Sequence, residues 1–126
     1  MLDFQAAPRV RYNNKVTKNQ KRRQVLAIQE LKDRLVELFG RSVELRIFGS
    51  VARGEDTRYS DIDLLVLLPH TVDTCTEVTI FDSAYDMELK YGVVFGVVVY
   101  DKEFWHSELA SFMPLHHNID REGVVV

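Results

Sequence analysis

The sequence predicts an α/β (α+β) domain in which a short mixed β-sheet is flanked by helices, and three observations predict it. Apolar residues recur at spacings of three and four over 25–39 and 78–89, as they do along the face of a helix. Leu64 to Leu68 and Val93 to Tyr100 are apolar on both faces over the length of a strand, which suits the covered middle of a sheet. Val43-Glu44-Leu45-Arg46-Ile47-Phe48 alternates apolar and polar residues, like a strand buried on one side. With 126 residues, 46% of them hydrophobic, the chain can bury a single core without disulfides or a structural metal.

In chain order, the first helix carries Val25, Ile28, Leu31, Leu35 and Leu38 on one face, widened by Leu26, Val36 and Phe39. It ends at Gly40, since glycine takes the left-handed conformation that closes a helix. The alternating strand comes next, then a polar, turn-rich stretch from Gly49 to Ser60 and the buried strand that opens at Asp61 and stops at Pro69. Thr74 or Thr76 is placed to cap a second helix reaching Lys90, with Val78, Phe81, Tyr85 and Leu89 along its apolar face. Tyr91-Gly92 turns the chain into the next strand, and Asp101 is placed to cap a helix beyond it. Pro114 divides 102–121 into two short helices whose Phe104, Trp105 and Phe112 are expected in the core, and Val124 to Val126 can add an edge strand.

Charge and cysteine usage narrow the function classes. The net charge of −3 argues against a dedicated nucleic-acid binder, yet the first 23 residues carry a net +6, with Arg9, Arg11, Lys15, Lys18, Lys21, Arg22 and Arg23 opposed only by Asp3. Residues 1–22 are therefore expected to form a solvated, mobile basic leader, with an arm that docks an acidic partner or RNA as the sharper alternative. No apolar run approaches the length of a membrane span, and neither a secretory leader nor a pair of cysteines is present, so a cytoplasmic location is expected. Cys75 has no neighbouring base in the sequence and reads as an incidental thiol. His116 and His117 point about 100° apart on a helix and cannot easily share an ion, so neither they nor His106 are assigned to zinc.

The chemistry concentrates in 49–66. Residues two apart on a strand share a face, so Asp61 and Asp63 project together where the buried strand begins. Two adjacent carboxylates either share a cation or force a proton onto one of them. Hard oxygen ligands without His or Cys favour Mg²⁺ or Mn²⁺, and Mg²⁺ is content with one or two carboxylates plus phosphate oxygens. Gly49-Ser50 lies where a strand ends, and its backbone N–H groups and hydroxyl can hold phosphate oxygens, with Arg53 adding a charge-assisted contact.

Gly49-Ser50, a ten-residue spacer and Asp61-Ile62-Asp63 together resemble the signature of the nucleotidyltransferase superfamily that includes DNA polymerase beta. The resemblance is closest to its smallest members, the minimal nucleotidyltransferases, in the fuller forms Phe48-Gly49-Ser50-Val51-Ala52-Arg53-Gly54 and Ser60-Asp61-Ile62-Asp63-Leu64-Leu65-Val66. Tyr91-Gly92-Val93, Asn118-Ile119 and Glu122-Gly123-Val124 are similar as well, so it runs from Val25 to Val126 and 23–126 is read as the nucleotidyltransferase domain.

The resemblance implies transfer of a nucleoside monophosphate, AMP, from a metal-bound triphosphate to a hydroxyl, with pyrophosphate leaving. Asp61 and Asp63 would be catalytic and metal-holding, and Gly49, Ser50 and Arg53 would bind the nucleotide, with Mg²⁺ (or Mn²⁺) and ATP as cofactor and co-substrate. It also implies an acceptor on a partner protein, a HEPN-type toxin, to which this chain would be the antitoxin. A small-molecule transferase completed only as a homo-oligomer stands as an alternative. One feature departs from the pattern: the family commonly carries a third acid on the neighbouring strand, where this chain has Val94. Glu88 or Asp86 would have to reach in from the preceding helix. A catalytically impaired module that keeps the fold to sequester a partner or sense a nucleotide is therefore the second reading.

Overall fold

A computed structural model describes residues 15–126; Arg9 and Arg11 of the expected leader lie outside the described residues. The first helix, α1 (Lys18–Phe39), starts earlier than its apolar pattern predicts, so Lys18, Lys21 and Arg22 form its first turns. Thr17 accepts a hydrogen bond from the Gln20 amide while the Gln20 side chain accepts one from the Thr17 amide, a reciprocal cap that satisfies otherwise orphaned donors. Lys18, Asn19, Arg22 and Arg23 are exposed, while Lys21 and Gln24 face Asp56, which is buried and accepts from Gln24 Nε2 at 3.3 Å with Lys21 Nζ at 3.5 Å. Further along, α1 buries Ala27, Ile28, Leu31 and Leu35, whereas Val25, Leu26 and Leu38 of the predicted stripe stay exposed.

After Gly40 come β1 (Glu44–Phe48), the one-turn helix α2 (Gly49–Arg53) and β2 (Ile62–Leu68). The chain continues through α3 (Thr74–Tyr91), β3 (Phe95–Asp101), α4 (Lys102–Trp105), α5 (Glu108–Ser111), α6 (Pro114–Glu122) and β4 (Val124–Val125). The sheet order is β3-β2-β1-β4, with β2 parallel to β3 and the other pairs antiparallel, so the predicted mixed sheet and its valine edge strand both form. Among the described residues no helix is long and apolar enough to cross a membrane.

The central strand β2 has two apolar faces. Ile62, Leu64, Val66 and Leu68 pack beneath α1 and α3, while Leu65 and Leu67 pack on the opposite face with Trp105 and Ile119. Phe104 is half-buried and stacks on Tyr100 at 5.5 Å, but Phe112, expected in the core, is exposed. Three short helices, rather than two, cover this second face, because Asp101 and Ser107 cap separate turns ahead of Pro114.

The largest departure from the sequence pattern is α3. Asp73, not Thr74 or Thr76, caps it through the Thr76 amide at 2.7 Å. It buries Ile80, Ser83, Ala84 and Met87 and leaves Val78, Phe81, Tyr85 and Leu89 exposed. Small residues at 83 and 84 admit close packing against the neighbouring layer, so proximity rather than side-chain size decides which face turns inward.

Candidate functional site

Strand alternation puts Asp61, Asp63, Leu65 and Leu67 on one face of the β2 segment. Leu65 and Leu67 vanish beneath Trp105 and Ile119, but the two aspartates lie beyond that cover, where the sheet meets α2. Asp61 is exposed and Asp63 half-buried. In the sheet, Asp63 stands between Phe48 of β1 and Gly96 of β3.

Two glycines make room for the Asp63 carboxylate. Gly49 adopts φ 73°, and a Cβ there would run into Asp63 Oδ2; one at Gly96 would lie 3.0 Å from Oδ1. The carboxylate thus sits in a slot from which both flanking side chains have been removed. Burial pushes its pKa above the ordinary aspartate range, the charge of Asp61 pushes the same way, Arg53 opposes, and Glu122 adds to the rise.

Arg53 ends α2 within electrostatic reach of Asp63. Its Nη1 donates to both oxygens of Glu122 at 3.2 and 3.1 Å, and its Nε lies 3.3 Å from Glu55 Oε1. Glu122 Oε1 also accepts from the Gly49 amide at 3.2 Å. The Arg53 hydrogen bond is the main cause that holds the Glu122 carboxyl below the usual carboxylate range, and the same contact raises Arg53. Gly49, Ser50, Arg53, Asp61 and Asp63 therefore converge at one end of the sheet.

The other acids do not. Ile62 pairs with Phe95, and its amide donates to the Val94 carbonyl at 2.8 Å, while the β3 residue paired with Asp63 is Gly96, which carries no side chain. Glu88 turns away to accept from the Phe95 amide at 2.7 Å, and Asp86 pairs with Arg34 at 2.6 Å. His116 is buried with its Nε2 2.9 Å from the Trp105 carbonyl and its Nδ1 3.1 Å from Asp120, a structural role. Cys75 is exposed near the start of α3. No group of three or more His, Cys, Asp or Glu side chains gathers for a metal among the described residues.

Two carboxylates, one disfavoured in its charged form by burial and by its neighbour, fit a hard divalent cation that completes its shell with phosphate oxygens. Sequence reasoning missed Glu122 and Gly96. The available signal was the valine edge strand: continuing the antiparallel register of β4 and β1 places Glu122, two residues before β4, beside Gly49, the residue after β1.

Comparisons with known proteins give the chain its family. The family described as nucleotidyltransferase domain matches residues 28–116. A Methanocaldococcus jannaschii protein named as a protein adenylyltransferase is 34% identical over 106 residues, covering 79% of this chain and 94% of its own. A toxin–antitoxin crystal structure with AMP-PNP superposes with a TM-score of 0.53 at 18% identity, covering 77% of this chain and 70% of that one. A variant of the MntA-HpeT toxin–antitoxin complex gives 0.51 at 18% identity over 78% and 70% of the two chains. These last two are likenesses of fold. The extent of the family match and the identity to the archaeal relative establish that this chain belongs to the nucleotidyltransferase domain family.

Proposed function

We propose that this nucleotidyltransferase moves AMP from metal-bound ATP to a hydroxyl on a partner protein, and that the partner is a HEPN-type toxin held in check by it. The convergence of Asp61 and Asp63 with the Gly49-Ser50 turn and Arg53 carries the transfer. The name of the archaeal relative and the toxin–antitoxin neighbours support the acceptor class.

Asp61 and Asp63 would hold Mg²⁺ or Mn²⁺, which when bound neutralises phosphate charge and favours departure of pyrophosphate. Gly49 lets the phosphates approach the backbone, where amides of the turn and the Ser50 hydroxyl serve as donors. Arg53 supplies positive charge beside the aspartates. Phosphoryl-type transfer depends mainly on such positioning and charge neutralisation, so no covalent intermediate on the protein is required.

Gly96 beside Asp63 favours a second reading, because that position of β3 offers no carboxylate to take the proton of the attacking hydroxyl. On that reading the site binds nucleotide without turnover. Incubation with Mg²⁺ and α-labelled ATP, with and without the product of the adjacent gene, separates the two. Label on the partner with wild type but not with Asp61→Asn/Asp63→Asn supports transfer; nucleotide binding without label supports the binding module.

A further inference from the structure

Glu122 presents a puzzle of charge. It is an acid bound to the Arg53 guanidinium, one of the donors proposed for the nucleotide phosphates, and to the Gly49 amide at the start of the turn that would hold them, in a site that already holds Asp61, Asp63 and Glu55. Counting charges alone makes it a competitor, an internal anion that triphosphate must expel. Its anchorage argues otherwise.

Glu122 closes α6, and the next residue leaves no space for a side chain: a Cβ at Gly123 would lie 2.5 Å from the Ile119 carbonyl oxygen. The Gly123 amide donates to that carbonyl at 2.7 Å. Beyond it, Val124 and Val125 pair with Ile47 and Arg46, and the Val126 amide donates to the Leu45 carbonyl at 3.0 Å. Glu122 is thereby held by backbone on both sides, and its side chain is only 16% exposed. Arg53, by contrast, is a long side chain on a one-turn helix and 43% exposed. The fixed member of the pair is the carboxylate, and the member that needs fixing is the guanidinium.

Resting on the nucleotide reading above, we propose that Glu122 is a positioning residue. Through Nη1 it fixes the Arg53 guanidinium over the Gly49 turn and pins the turn itself through its amide, so that donors and aspartates stand ready before the phosphates arrive. Its value is pre-organisation: a free arginine loses several rotamers on binding phosphate, and one already held loses few. The pairing of β4 with β1 is the reason the end of the chain can serve a site formed near its middle.

The sign of one measurement decides between positioning and competition. ATP with Mg²⁺ is titrated calorimetrically into full-length wild type, Glu122→Gln, Arg53→Gln and the double variant, with AMP as a second probe and melting temperatures recorded for all four. Positioning predicts that Glu122→Gln weakens ATP about tenfold, the scale of one charge-assisted hydrogen bond. It predicts little change for AMP, and a double variant no weaker than Arg53→Gln. Tighter ATP binding by Glu122→Gln would overturn the proposal in favour of competition; unchanged binding, or losses that add in the double variant, would also overturn it. If Glu122→Gln fails to fold, Glu122→Asp, which keeps the charge but draws it back from Arg53, must show the same ATP-specific loss or the proposal falls. Failure of wild type itself to bind ATP would remove the underlying nucleotide reading and this proposal with it, a result distinct from loss confined to the variants.

Discussion

Replacing glycine by alanine at three positions separates backbone strain from intrusion into the carboxylate slot. Gly54 has φ 70° and open space around a built Cβ, so Gly54→Ala incurs only the left-handed penalty, about 1–2 kcal/mol. For a domain of this length about 1 kcal/mol corresponds to roughly 4 °C in melting temperature. Gly49 has nearly the same φ, 73°, but its Cβ would strike the Asp63 carboxylate. Gly49→Ala therefore adds an overpacking cost of about 1–3 kcal/mol to the same backbone penalty. Gly96→Ala carries no left-handed penalty and places its Cβ 3.0 Å from Asp63 Oδ1, so the carboxylate shifts by a few tenths of an ångström while the fold stays nearly as stable. Urea denaturation and Mg²⁺-dependent ATP titration on the same samples read both effects. The expected stability order is Gly96→Ala above Gly54→Ala above Gly49→Ala, whereas ATP binding should be weakened at 96 and 49 and retained at 54. Equal stability and equal ATP binding for Gly49→Ala and Gly54→Ala would refute the slot.

The same geometry yields three further expectations. Asp63 is held above the ordinary aspartate range, so ionising it destabilises the fold once pH rises past the unfolded value; Asp63→Asn should raise the melting temperature at neutral pH, with the gain fading as pH falls below the unfolded carboxylate range. A melting temperature for Asp63→Asn that is lower than wild type at neutral pH would contradict that sign. Asp56→Ala strands the buried Gln24 amide and should lose about 1–3 kcal/mol in chemical denaturation, more than Asp56→Asn, which keeps an acceptor. Leu65→Ala empties a fully buried position under Trp105 and should lose about 2–5 kcal/mol, against less than about 0.5 kcal/mol for exposed Leu109→Ala.

Much of this fold is legible in the sequence where one physical signal dominates. The double-sided apolar run marks β2 as central, the glycine turns at Gly40 and Gly92 end α1 and α3, and the two-residue spacing of Asp61 and Asp63 fixes their common face. The early start of α1 is hidden because its first turns carry only polar side chains, exposed or, as with Lys21 and Gln24, directed at the buried Asp56, so apolar periodicity is silent there, although Thr17 and Gln20 spell a capping box. The inward face of α3 is misread because close approach selects Ser83 and Ala84 over Phe81 and Tyr85. Glu122 is beyond local reasoning altogether, since only the pairing of β4 with β1 brings it to Gly49. Local chemistry thus finds the strand-borne part of the site, and topology supplies the rest.

The central claim is that Asp61, Asp63 and the Gly49-Ser50 turn form one metal–nucleotide site. Calorimetric titration of ATP into wild type and Asp61→Asn/Asp63→Asn, each with Mg²⁺ and with EDTA, tests it most directly. Binding by wild type should require Mg²⁺, and a double variant that remains folded should lose that requirement together with most of the affinity. Equal Mg²⁺-dependent binding by the folded double variant would contradict the claim.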